Sequence, residues 1–70
     1  MDKIIIDLDG QKVTMRKPKV RDIKAVAHIT NEIEKEAELI SNLTGLSEEE
    51  IEEMYYQEYA KLQKALLDFL

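Results

Sequence analysis

The segment Leu43-Thr44-Gly45-Leu46-Ser47-Glu48-Glu49-Glu50 constrains this chain more than any other, because it reads as the end of one helix and the start of the next. Glycine carries no Cβ penalty in the left-handed conformation that closes a helix, so Thr44-Gly45 is a stop signal. Ser47 with Glu50 three residues on is a capping box, and the three glutamates fall in the first turn, where the helix dipole favours negative charge. Leu46, between stop and start, is placed to fold back over the turn. The second half is therefore helical on both sides of a tight corner.

A second punctuation mark lies near the N-terminus. Ile4-Ile5-Ile6-Asp7-Leu8 is rich in β-branched residues and runs into Asp9-Gly10, a strong two-residue hairpin signal; Val13-Thr14-Met15-Arg16 follows. A two-residue turn fixes the register, with Leu8 opposite Gln11, Asp7 opposite Lys12, Ile6 opposite Val13, Ile5 opposite Thr14 and Ile4 opposite Met15. Ile4, Ile6, Val13 and Met15 then share one face, and an Asp7–Lys12 ion pair is expected on the other. A lone hairpin is at best marginal in water, so its apolar face must pack on helices or on another subunit.

Pro18 ends the second strand. Helical spacing runs from there to Leu43, but the apolar stripe moves. Val20, Ile23, Val26 and Ala27 share one face, whereas Ile29, Ile33, Ala37 and Ile40 form another, displaced by roughly 100° around the axis. Thr30 and Asn31 lie between, and both favour caps over helix interiors. Two helices broken near 30–31 are predicted, with one long helix of drifting seam as the alternative. The expected architecture is α+β and mainly α, one domain over 1–70: a hairpin over 3–16, one or two helices over 19–43, and a short helix plus a terminal helix over 47–69.

On the terminal helix, Tyr55, Tyr59, Leu62, Leu66 and Phe69 recur at intervals of 4, 3, 4 and 3 and form the seam expected to face the core. Tyr56, Ala60, Leu67 and Leu70 lie on the flanking side, where Gln63 interrupts the apolar surface. A helix packed on one side needs only about 100° of apolar arc. The excess points to a partner, so Tyr56, Ala60, Leu67 and Leu70 are the candidate partner-binding residues.

Composition excludes several classes of function. A 70-residue chain buries only about 60% of its unfolded surface, and the absence of cysteine removes disulfides and thiolate metal sites as staples. Apolar runs are too short to span a membrane, and the start has no signal-sequence pattern. A net charge of −5 opposes binding to nucleic-acid backbones, which need clustered Lys and Arg. The acidic excess lies mostly between Glu32 and Glu58, while Lys12 to Lys24 is basic. His28, the single histidine, has no second ligand at metal spacing and reads as structural. Glu32–Glu36 and Glu34–Glu38 are spaced i, i+4, but helical carboxylate metal sites also need partners such as Glu-x-x-His on neighbouring helices, so a solvated face is the reading. Gly10 and Gly45 are both absorbed by turns, Ser41 and Ser47 have no adjacent base, and the three tyrosines stand in acidic surroundings unsuited to stacking on nucleic acid. No enzyme, metal or cofactor is expected.

Together these segments carry a resemblance. Leu43-Thr44-Gly45-Leu46-Ser47, the acidic helix start and Tyr59-Ala60-Lys61-Leu62-Gln63 resemble the C-terminal half of the small tail assembly chaperones of long-tailed bacteriophages, including the E-type protein of contractile tails. Val13 to Asp22, with Arg16-Lys17-Pro18 and Val20-Arg21-Asp22, is similar to that family's strand, Arg-x-Pro and Val-x-Asp helix start. The resemblance covers roughly residues 4 to 70. Two departures stand out. Lys19 replaces a capping Thr, which implies a loosely started first helix, and Met54-Tyr55-Tyr56 replaces a Leu-Asp type linker, which implies a more continuous joint before the last helix.

The resemblance implies a chaperone that coats the tape measure protein before tube subunits polymerise around it and then leaves. The implied setting is the host cytoplasm, with no place in the mature virion, no membrane and no nucleic acid. It also implies an extended form made by translational frameshifting, of which a chain ending at Leu70 would be the short counterpart. A homo-oligomer is expected separately, because a two-stranded sheet leaves both edges open and the last helix is too apolar for a monomer. The competing reading is a small acidic regulatory or inhibitor protein of a mobile element, acting by protein–protein binding.

Overall fold

The computed structural model describes residues 2–70. Its first element pair is a hairpin, β1 (Lys3–Leu8) and β2 (Gln11–Arg16), in the register the turn dictates, with Ile6 opposite Val13 and Ile4 opposite Met15. Asp9 and Gly10 both take positive φ, 53° and 95°, the pattern of a type I′ turn, whose twist matches that of the strands. Ile6, Leu8, Val13 and Met15 are buried on the inner face. The expected Asp7–Lys12 ion pair does not form among the described residues: the Asp7 carboxylate instead accepts the Gly10 N–H at 2.9 Å and braces the turn.

Four helices follow: α1 (Val20–Val26), α2 (Glu32–Thr44), α3 (Glu48–Glu52) and α4 (Tyr56–Phe69). The fold is α+β. Thr30 and Asn31 separate α1 from α2, and the Asn31 side chain caps α2 by accepting the Glu34 N–H at 3.0 Å. The single drifting helix therefore gives way to two, each free to turn its own stripe.

At the α2–α3 corner Gly45 has φ 82° and its N–H reaches the Ser41 carbonyl at 2.8 Å. Hydroxyls finish the turn: Thr44 donates to the Ile40 carbonyl at 2.7 Å and accepts from the Leu46 N–H, and Ser41 donates to the Leu46 carbonyl at 2.6 Å. The Ser47–Glu50 capping box closes in both directions at 3.0 and 2.9 Å. Open space surrounds the position a Gly45 Cβ would take, so Gly45→Ala strains only the backbone. It should cost about 1–2 kcal/mol, read as a lower urea midpoint at unchanged slope.

Two joints differ from expectation. The first helix does not start loosely, because Asp22 takes over the capping that Lys19, a donor without an acceptor, cannot supply. The Asp22 carboxylate accepts the Lys19 N–H at 2.7 Å and both Arg16 guanidinium nitrogens at 2.8 Å. The joint before the last helix is also not continuous. Glu53-Met54 forms a turn and Tyr55 is extended, with φ −66° and ψ 145°. Tyr55 is thereby the N-cap of α4 rather than part of its seam.

In the core, α4 lies along β1, α2 lies along β2, and α1 and α3 pack on α2. Met15, Ile40 and Leu62 are fully enclosed at its centre. Lys61 reaches across from α4 to the Asp7 carbonyl at 3.3 Å.

Candidate partner-binding surface

The terminal helix divides its apolar residues between inside and outside. Tyr59, Leu62 and Leu66 are buried and Phe69 is partly so, as the seam predicts; Tyr55, 80% exposed, is not part of the core. The helix begins one residue after it, so the first seam position falls before the helical spacing applies. Ala65, placed by its sequence neighbours on the polar side, is buried. A methyl-sized side chain is what lets α4 come close to β1, and no periodicity pattern distinguishes such an alanine from a surface one.

The flanking residues form a stripe along the outer side of α4. Tyr56, Leu67 and Leu70 are exposed, the two leucines by 70% and 71%, and Ala60 is half-buried. Their spacing of 4, 7 and 3 holds them within a narrow arc of the helix, with Gln63 at its middle. Tyr56 and Tyr59 stand with ring centroids 6.3 Å apart, tilted by 36°, which joins the stripe to the core at one end.

Beside this stripe, α1, α2 and α4 enclose an open trough of about 520 Å³. Val26, Leu39 and Leu66 line it from the core, and Ile23 and Ile33 stand at its sides. Sequence spacing assigned Ile23 and Ile33 to packing faces. Of the expected Ile29–Ile40 stripe, Ile40 is buried and Ile29 and Ala37 pack partly against the core, while Leu39 and Leu43 complete the buried positions of α2. Ile33, in the first turn, overhangs the core and is 76% exposed. Val20 is likewise exposed although it shares a face with buried Val26. The displacement of the two stripes was the available signal that both could not face one sheet.

A polar bracket joins α2 to α4 at the edge of the trough. Glu36 Oε1 accepts the Tyr59 hydroxyl and the Gln63 amide, each at 2.8 Å. Burial, and then the hydrogen bond to Glu36, holds the Tyr59 phenol well above its ordinary range, so it is a neutral donor at any physiological pH.

On the opposite side of α2, Glu34, Glu38, Glu48 and Glu52 surround a shallow pocket with Ile29, Ala37 and Ile51 at its base. Glu48 shares a hydrogen bond with Glu38, and that bond, followed by their mutual repulsion, raises the Glu48 carboxyl above its ordinary value. His28 is exposed on the short link after α1. No cluster of three or more metal-ligating side chains occurs among the described residues, and no described helix is long and apolar enough to cross a membrane.

A hairpin backed by four helices, with one helix face and one trough left apolar and uncovered, is the build of a small protein-binding module. The chain belongs to a family of such proteins, the phage tail assembly chaperones: the family model described as phage tail assembly chaperone proteins, E, or 41 or 14, matches residues 9–70. The match takes in the turn, β2 and all four helices, leaving out β1. No curated protein and no solved structure matches the chain.

Proposed function

We propose that this tail assembly chaperone binds the tape measure protein in the host cytoplasm during tail morphogenesis, through the outer face of α4, and does not remain in the mature virion. The observation that carries the reading is the pair Leu67 and Leu70, each more than two-thirds exposed on a helix whose other side is core. Covering a leucine side chain is worth about 1.5–3 kcal/mol. Tyr56 and Ala60 extend the same stripe and complete an apolar strip suited to a helical seam of a long partner. The net charge of −5 would keep a coated partner in solution. The same exposed face supports self-association and pairing with a longer, frameshifted form of the chain; light scattering that finds only monomer up to millimolar concentration counts against that.

Co-expression with a tape measure protein and capture through a tag tests the main reading. Wild type should retain the partner. Leu67→Lys should keep the circular dichroism spectrum of wild type, since an exposed lysine stays in water, yet lose the partner. Equal capture by Leu67→Lys would remove the α4 stripe as the contact, and no capture by wild type would remove the tape measure protein as the ligand.

A further inference from the structure

We propose that the trough between α1, α2 and α4 receives one helix of a partner protein, a helix with an apolar seam and a lysine or arginine directed at Glu36. The inference rests on the reading above only for which protein carries that helix; the trough itself specifies the chemistry.

Exposed apolar side chains concentrate around it. Of the eight large hydrophobic side chains exposed among the described residues, Ile23 and Ile33 line the trough and Val20 lies one turn before Ile23 on α1. Gln63 and Leu66 also line it, and Leu67 on α4 and Leu70 at its C-cap lie one turn beyond them. Five of these eight therefore line the trough or lie within one helical turn of a residue that does. Gln63, at the middle of the α4 stripe, also lines the trough, and the open form suits a rod-like apolar ligand better than a small molecule, which needs enclosure on most sides.

Charge selects among such ligands. Three charged side chains line the trough, the carboxylates of Glu32 and Glu36 and the ammonium of Lys35, which is matched by Glu32 and leaves one negative charge over. Lys35 lies 3.7 Å from Glu32. Glu36 is half-buried, and its Oε1 takes two neutral donors. No cation lies within ion-pair distance of Glu36 among the described residues. Being only half-buried, the Glu36 carboxylate is open to water in the free protein. A helix laid over the trough removes that water, and a desolvated carboxylate without a cation is strongly unfavourable. A purely apolar or acidic helix is thus rejected, whereas one bringing a basic side chain to Glu36 is accepted.

Fluorescence anisotropy with two designed amphipathic helices tests this directly. Both carry leucines at i, i+3 and i+7; one has lysine beside the seam and the other glutamate. Wild type should bind the lysine helix at least about tenfold more tightly than the glutamate helix. Glu36→Gln keeps an acceptor for Tyr59 and Gln63 and should abolish that preference. Ile33→Glu alters an exposed side chain, so it should leave the circular dichroism spectrum unchanged while weakening the lysine helix by about tenfold or more. Wild type that binds neither helix, an Ile33→Glu variant that binds as wild type does, or a preference that survives in Glu36→Gln each overturns the proposal. Binding of the lysine helix by a wild type that fails to capture the tape measure protein supports the trough and removes only that carrier. Tape measure capture unaffected by Ile33→Glu leaves the α4 contact standing and takes the trough out of it.

Discussion

Leu62→Ala is expected to unfold the chain. Leu62 is fully enclosed, in the part of α4 that faces the hairpin and α2. Truncation removes its transfer free energy and leaves a cavity that the surrounding helices fill only in part, a loss of about 2–5 kcal/mol. A single core in a chain of this size supplies about 3–5 kcal/mol of net stability, so the loss is comparable to the whole. Nothing else makes up the difference, since the chain has no cysteine for a disulfide. Leu67→Ala is the control: the same chemistry on the exposed side of the same helix should change stability by no more than about 0.5 kcal/mol. Urea unfolding followed by circular dichroism compares the two. A cooperative transition in Leu62→Ala with a midpoint close to that of wild type would mean that the core does not depend on this side chain.

Stability should also pass through a maximum in acid, set by two carboxylates with opposite shifts. Arg16, bonded through both nitrogens, and then the Lys19 N–H hold Asp22 well below the ordinary carboxylate range, against a smaller opposing effect of burial. A depressed value in the folded state contributes stability that is present above the unfolded value of about 3.9 and lost as pH falls through the folded one. Glu48 runs the other way. Its hydrogen bond to Glu38 and the repulsion between the two raise its value, so the folded state prefers its proton. That contribution is complete below the unfolded value of about 4.3 and disappears as pH rises through the folded one. Cooling the repulsion by acidification from neutral pH should therefore stabilise the chain at first, and further acidification should destabilise it. Melting temperatures across the range check both limbs: Glu48→Gln should flatten the upper one and Asp22→Asn the lower. An Asp22→Asn variant that loses stability in strong acid in parallel with wild type would show that the Arg16–Asp22 joint is not the source of the fall.

What the sequence reveals about this fold is whatever depends on neighbours along the chain. Asp9-Gly10 and the alternation on either side determine which residues pair, because a two-residue turn leaves one register. Asn31, Gly45 and Ser47 mark helix ends through bonds that span only three or four residues. The Arg16–Asp22 clamp was not legible, since strand, proline and helix must first bend the chain before a guanidinium can meet a carboxylate six residues away. Tyr55 was misplaced for a related reason: helical spacing was carried back past a turn that ends it. The candidate surface was legible on α4, where Leu67 and Leu70 exceed what one packing face can use. The trough was not, because it depends on the angle at which α1 meets α2, and the two displaced stripes of Val20–Ala27 and Ile29–Ile40 do not fix that angle.

The contact between α4 and β1 determines the order in which the molecule can assemble. Lys61 and the Asp7 carbonyl are 54 residues apart in the chain, and the apolar face of β1 is roofed by α4, the most distant of the four described helices. A nascent hairpin emerging from the ribosome has no lid for Ile6 and Leu8, since isolated two-stranded sheets do not persist in water. Non-local closure of this kind delays folding until the distant segment is available. The interior therefore closes only once α4 has left the ribosome, and the stripe carrying Leu67 and Leu70 appears in the same event. A half-made chain presents neither a finished core nor a finished docking face.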